Sequence, residues 1–333
     1  MENIWDIPPQ KVSTDISSYT MLIYGPPKAG KTKFTFDLYG QDAIFLRTEK
    51  GTKAIPGLIG IDIGSWSDLA KAKKQLKDPR AKAKFKVVVI DTVDNLYKYL
   101  EKYVKNKYGV DNIKNANGGY GAGFAELSET LFDALNEIEK EGYALAFISH
   151  ATTKTEKIPT PQGEVEIEKY IPSVPKRGLE IMTKMVDNIL FAYLTIDAET
   201  KQEKRVLYTR ETLNFQAGSR FSGMPGVLPV DAVQYKQAMV KAIESLGAEN
   251  LKSEKEANLV ETEELNFEAL MGQAKELAVT LHKAGRMSEV TQTVEKIFGP
   301  GKLLKDAIPS QVESVKIAVE ELQSLVEKGQ ETE

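Results

Sequence analysis

Residues Tyr19 to Thr32 read YTMLIYGPPKAGKT. A short apolar run, Met21-Leu22-Ile23-Tyr24, stops at Gly25, and Gly30-Lys31-Thr32 open a segment of helical character, KTKFTFDLYG. The spacing G-x-x-x-x-G-K-T, with a strand before it and a helix after it, is a phosphate-binding loop. Its chemistry comes from the backbone, because N–H groups of the loop and of the first helical turn face inward and hold phosphate oxygens. Gly25, Pro26, Pro27, Lys28, Ala29, Gly30, Lys31 and Thr32 are therefore the expected nucleotide cradle. Lys31 would reach the β- and γ-phosphates, and the Thr32 hydroxyl would take a Mg²⁺ position.

Working outward, Ala43-Ile44-Phe45-Leu46 and Val87-Val88-Val89-Ile90 are short apolar runs typical of buried parallel strands. The first runs into Arg47-Thr48-Glu49-Lys50-Gly51 and the second closes on Asp91. Between them Ser65 or Ser67 caps a helix through Leu69 and Leu76, which Pro79 is expected to end. An amphipathic helix follows over about 93–107, then a Gly- and Asn-rich loop over 108–123, then a helix over 124–140. Tyr143 to Ser149 (YALAFIS) is a further buried strand, closed by His150. Strands alternating with helices predict an α/β fold, a mostly parallel sheet flanked by helices on both faces.

Past His150 the pattern changes. Thr152 to Tyr170 alternates around Pro159, Pro161 and Gly163 and predicts a projecting β-hairpin or ordered loop. Residues 186–195 and 204–209 predict a late hairpin, and a helix is expected over 231–246. The expected organisation is an N-terminal arm over 1–17, a core over 18–246, an acidic linker over 247–265 and a small helical module over 266–330. In that module Leu270, Ala274, Leu277 and Leu281 form one stripe, Val290, Val294 and Ile297 a second, and Val312, Val315, Val319, Leu322 and Val326 a third.

Composition narrows the chemistry. Hydrophobic content of 41% and charged content of 28% suit a globular protein. No apolar run is long enough to span a bilayer and the N-terminus lacks a signal-peptide pattern, so the expected location is the cytoplasm, with no membrane partner. Cysteine is absent and the histidines number 2, which excludes disulfides and Cys/His metal clusters. The net charge is −4, but residues 71–114 hold 13 Lys+Arg against 5 Asp+Glu, while 248–333 hold 10 against 17. A basic block of this kind can track a phosphate backbone or be a solvated helical face.

Asp91, at the end of an apolar strand, is placed to hold Mg²⁺ through water. A hydrolase also needs a carboxylate near the γ-phosphate to activate water. Glu49 is the expected base and Asp94 the second choice. GPPKAGKT, FLRTEKG, VVVID, GYGAGF and LAFISH together resemble the RecA-like P-loop ATPases, and more narrowly their phage and prophage branch linked to single-strand annealing and recombination. The likeness covers about 18–246 and implies a RecA-like P-loop NTPase core that hydrolyses ATP with Mg²⁺ and acts on single-stranded DNA as a homo-oligomer. It implies Glu49 as catalytic carboxylate, Asp91 as metal acid and His150 as the sensor of the γ-phosphate. The segment 151–176, with Lys154, Lys157, Lys169 and Lys176 and then Arg177, would be the DNA-binding loop. Arg220 would reach a neighbouring subunit's nucleotide, although Gly218 stands where the family tends to carry a lysine. Tyr120 and Phe124, in the Gly-rich stretch, would stack on bases or belong to a lid.

Other classes stay open at this level. A nucleotide-dependent scaffold, motor or loader subunit would share every core motif. A GTPase reading rests on Thr153-Lys154-Thr155-Glu156, which ends in Glu where guanine recognition wants Asp. A small-molecule kinase would need an arginine-rich lid that the sequence lacks. The helical module is expected to engage a protein partner, such as a single-strand binding protein or a replisome component.

Overall fold

The computed structural model describes residues 11–161, 163–197, 199–247, 251–252, 266–299 and 301–330. The chain divides into two compact units, Met1–Val260 and Glu261–Glu333. The first unit opens with β1 (Val12–Ser13), β2 (Met21–Gly25), α1 (Lys31–Tyr39), β3 (Ala43–Arg47) and β4 (Gly60–Asp62). Helices α2 (Trp66–Leu76) and α3 (Pro79–Lys84) lead to β5 (Val87–Asp91), α4 (Val93–Tyr108) and α5 (Ala122–Lys140). Then come β6 (Ala144–Thr160), β7 (Gly163–Pro172), α6 (Lys176–Met185), β8 (Asn188–Ile196) and β9 (Glu203–Tyr208). Short strands β10 (Gly218–Ser219) and β11 (Val227–Pro229), helix α7 (Ala232–Glu244) and β12 (Leu251–Lys252) complete it.

The main sheet has the order β11-β9-β8-β2-β6-β5-β3-β4. Its centre, β8-β2-β6-β5-β3-β4, is parallel, and β9 and β11 add antiparallel at one side. The phosphate-loop strand β2 is thus separated from the Asp91 strand β5 by β6, which comes later in the chain. This is the RecA-like α/β arrangement. Alternate residues of the strands face opposite layers, as the pleat requires. Leu22, Leu46, Val88, Ile90 and Phe147 pack under α2, α4, α5 and α6. Met21, Ile23, Phe45, Val89 and Ile148 pack under α1 and α7, where Phe34, Tyr235 and Met239 close the layer. Each such side chain contributes about 1.5–3 kcal/mol by leaving water.

Several local expectations change. Pro79 does not simply stop α2: it sits in the first turn of α3, whose cap Asp78 accepts from Arg80 N, a position where the missing proline N–H costs nothing. The Gly-rich interval after β3 contains β4, and the 108–123 loop contains a short 3₁₀ segment over Ile113–Gly118. Beyond His150 the strand continues unbroken as β6 and pairs antiparallel with β7 from Ala151↔Pro172 to Thr160↔Gly163. Most of the expected arm (1–17) and linker (247–265) lies outside the described residues, but Leu251 and Lys252 pair in parallel with Val12 and Ser13 as strand, not as linker.

The second unit comprises α8 (Phe267–Lys283), α9 (Met287–Phe298) and α10 (Val312–Gln330). Asn266 caps α8 by accepting from Ala269 N. Leu281, Val290, Val294 and Leu322 form its core, and the Arg286 guanidinium ties the α8–α9 turn to Leu325 O on α10. No helix among the described residues is long and apolar enough to cross a membrane.

Candidate functional site

The site lies at the C-terminal ends of β2, β6, β5 and β3, the edge where open α/β sheets bind ligands. Two glycines shape the loop. A Cβ on Gly25 would sit 2.1 Å from Ala192 O of β8, so only glycine lets the two strands pair there. Gly30 has φ 93° and caps α1 in the left-handed region that side chains disfavour. The first backbone N–H groups of α1 have no partner within the helix, which leaves them to an anion.

Lys31 is 7% exposed, and its ammonium donates to Gly25 O and Pro26 O, each at 2.9 Å. Burial lowers its pKa, while Asp91, Glu49 and Asp94 work to hold it up. The Thr32 hydroxyl donates to Asp91 Oδ2 at 3.0 Å. Asp91 is 2% exposed, and its Oδ1 has no hydrogen-bond partner among the described residues. Burial drives its pKa up to about 6; the Thr32 hydrogen bond opposes the rise, Glu49 adds to it, and Lys31 and His150 oppose it. A buried carboxylate beside a hydroxyl, with an oxygen left over, fits a hydrated divalent cation held by Thr32 and Asp91.

Glu49 and His150 arrive from the neighbouring strands. The Glu49 side chain is 37% exposed, and its Oε1 lies 3.9 Å from His150 Nε2. His150 Nδ1 lies 2.9 Å from Asp94 Oδ2, and the His150 backbone N–H donates to Asp94 Oδ1 at 3.3 Å. With the carboxylate accepting, Nδ1 carries the proton and Nε2 is turned toward Glu49. Asp94 is 5% exposed and is engaged with His150 from the first turn of α4.

Sequence reasoning missed Thr48. Its N–H donates to Asp91 O at 2.7 Å, its hydroxyl donates to Thr92 O at 2.8 Å, and Thr92 N–H donates back to that hydroxyl at 2.8 Å. The Asp91–Thr92 peptide it clasps is cis. Thr48 thus sets the height of Glu49 relative to Asp91. A Thr immediately before the expected base was the available signal.

Arg220 is not brought to this edge. Its Nη1 lies 3.0 Å from Asp187 Oδ1 and its Nη2 donates to Lys184 O at 2.9 Å. Asp187 accepts from Thr20 N, before the start of β2, so Arg220 stands at the opposite end of the sheet from the loop. An ion pair in its own chain accounts for its position. Arg205 instead lies on the phosphate side: it pairs with Leu194 on β8, beyond Ala192, whose carbonyl meets Gly25.

Many of the basic side chains are ion-paired within the chain. Lys73 pairs with Glu137, Lys82 with Glu141, Lys86 with Asp15 and Lys107 with Glu126, so acids from outside the block offset much of it. In the hairpin Lys154 pairs with Glu156, Lys157 with Glu164 and Glu166, and Lys169 with Glu211. Thr153 to Glu156 are strand residues of that hairpin. Tyr120 is fully exposed between glycines of positive φ, and the Arg177 guanidinium sits 5.1 Å from the centre of the Phe124 ring.

Residues 17–221 match the family model described as AAA domain. The chain is also 29% identical over 328 residues to the SPbeta prophage-derived uncharacterized protein YorG of Bacillus subtilis (strain 168), covering 95% of this chain and 96% of that one. Among solved structures it is similar to a KaiC-like protein from Pyrococcus horikoshii OT3, at 13% identity and a TM-score of 0.34, covering 62% of this chain and 89% of the other. The family match spans well over half of the sequence and contains the loop, Glu49, Asp91 and His150. The chain belongs to the AAA-domain family, with the RecA-like fold of a P-loop NTPase.

Proposed function

We propose that the protein hydrolyses ATP to ADP and phosphate and couples that reaction to single-stranded DNA in phage-type recombination, annealing or replication. The observation that carries this reading is the continuity of β6. One unbroken strand bears His150 beside Glu49 and then runs out into the 151–172 hairpin. A change felt at the nucleotide by His150 therefore reaches a projecting arm without crossing a loop. The prophage origin in YorG's name supports the phage setting.

In this reading Lys31 exchanges its carbonyl partners for phosphate oxygens, and the α1 N-terminus receives the remaining phosphate charge. Thr32 and Asp91 would hold Mg²⁺, which would supply neutralisation of the phosphate charge. Glu49 orients the attacking water and takes its proton. His150, turned by Asp94, stands beside Glu49 and responds to whether a γ-phosphate is present. On the DNA side, Tyr120 offers a ring for stacking, and Arg177 stands over the Phe124 ring four residues further on as a cation. A homo-oligomer remains part of the proposal through the family resemblance, and Arg205 is its better-placed cation for a neighbouring nucleotide.

The ion pairing of the hairpin lysines favours a second reading, a nucleotide-dependent scaffold or loader in which the hairpin contacts protein. ATP turnover measured with and without single-stranded oligonucleotide, at low and high salt, separates the two. Stimulation and binding that weaken as salt rises support the DNA reading. ATP turnover indifferent to DNA, with no oligonucleotide bound at low salt, would leave the scaffold.

A further inference from the structure

The second unit carries an apolar groove that the nucleotide chemistry does not use. It encloses about 410 Å³ between α8, α9 and residues 302–305. Val279, Met287, Val290 and Leu303 line it, and Val279, Met287 and Leu303 are 52%, 47% and 49% exposed. Three large apolar side chains left half in water around one concavity mark a binding surface better than the same residues scattered would. A second cavity of about 210 Å³ adjoins it across Lys302 and Leu303 and reaches Phe298 and Ile308, the latter 56% exposed.

Charge specifies the occupant. Lys275, Lys302 and Lys305 stand on the rim of the groove, and none of their side chains forms an ion pair or hydrogen bond among the described residues. The neighbouring acids are already engaged: Glu289 with Arg286 at 2.7 Å, Glu295 with Gly301 N at 3.0 Å, and Asp306 with Leu303 N at 3.0 Å. Residues 248–333 hold 10 Lys+Arg against 17 Asp+Glu, so three free ammonium groups around one apolar floor run against the local charge balance. We propose that this groove binds a short acidic segment of a partner protein, whose bulky apolar side chains lie over Val279, Met287 and Val290 while its carboxylates meet Lys275, Lys302 and Lys305. Apolar burial supplies the affinity and the lysine rim selects for sign and speeds encounter.

The test uses the full chain and a fluorescein-labelled synthetic 12-residue peptide alternating Asp or Glu with Leu or Phe, read by anisotropy. Two control peptides carry Lys in place of the acids or Ser in place of the apolar residues. Saturable binding of the acidic peptide alone is expected. Met287→Glu, at a half-exposed position that leaves the fold intact, should abolish it. Lys275→Glu, Lys302→Glu and Lys305→Glu combined should weaken it by about tenfold or more and admit the Lys-containing peptide. Equal binding of both charged peptides, or unchanged binding by Met287→Glu, overturns the proposal. So does a concentration-dependent dimer, seen by light scattering, that Met287→Glu dissociates, since the occupant would then be a second copy. Binding that emerges only after residues 253–263 are replaced by Gly and Ser overturns it too, in favour of the chain's own acidic stretch.

Discussion

Replacing Asp91 by Asn should stabilise the nucleotide-free protein at neutral pH while damaging its metal chemistry. The shape is conserved, and the Asn carbonyl still accepts from Thr32. What changes is the cost of the buried charge. A carboxyl whose pKa rises from 3.8 to about 6 on folding loses about 3 kcal/mol of stability when it is ionised in the fold. The Asn amide, placed where Oδ1 has no partner, returns about 1–2 kcal/mol of that as an unpaired buried donor. The net gain above pH 7 is then about 1–2 kcal/mol, a melting shift of a few degrees for a core of this size. The sign follows from proton linkage: between pH 3.8 and about 6 the folded wild type binds the proton more strongly than the unfolded chain does. Its penalty is fully present above the folded pKa and fades as pH falls toward 3.8. Asp91→Asn should therefore be the more stable chain at pH 8 and the less stable one near pH 4. Differential scanning calorimetry of both proteins without nucleotide or metal, from pH 4 to 8, measures this. A stability difference constant across that range, or a less stable variant at pH 8, would refute the reasoning, as would undiminished Mg²⁺ dependence of nucleotide binding.

Other outcomes follow from individual contacts. Lys31→Ala should lose nucleotide binding, measured by titration with a fluorescent ATP analogue, because among the described residues no other buried ammonium stands at the loop. Thr48→Val removes the hydroxyl that both donates to Thr92 O and accepts from Thr92 N, costing about 2 kcal/mol, and should lower turnover more than nucleotide affinity. Arg220→Ala should cost no more than about 1 kcal/mol and leave turnover intact, since its ion pair is partly exposed and lies at the far edge of the sheet. A hundredfold loss of turnover with unchanged stability would instead support a role for Arg220 at a neighbouring subunit's nucleotide. Tyr120→Ala should weaken oligonucleotide binding by about 1–3 kcal/mol without altering DNA-free turnover.

The phosphate loop, Asp91, Glu49 and His150 were legible in the sequence because each follows a short apolar strand, and parallel strands deliver their C-terminal residues to one edge. The insertion of β6 between β2 and β5 was not, because strand order is a long-range choice that leaves no local pattern. The same limit hid the fate of the lysine-rich block, whose partners Glu137, Glu141 and Asp15 lie far away in the chain. The place of Arg220 within its own chain is hidden for a related reason: its neighbour Ser219 pairs with Asn188 at the start of β8, a register that spacing alone does not predict. Asp94 and His150 are 56 residues apart in the sequence, and only the fold shows that a helix start and a strand end bring them within 2.9 Å.

In the proposed function Glu49 is the base of an ATP-hydrolysing site built on Lys31, Thr32 and Asp91. Steady-state ATP turnover of Glu49→Gln, at nucleotide concentrations that saturate both proteins, tests it most directly. Unchanged ATP binding with turnover lowered by about 10²–10⁴ is expected; full turnover in Glu49→Gln would mean that Glu49 is not the base.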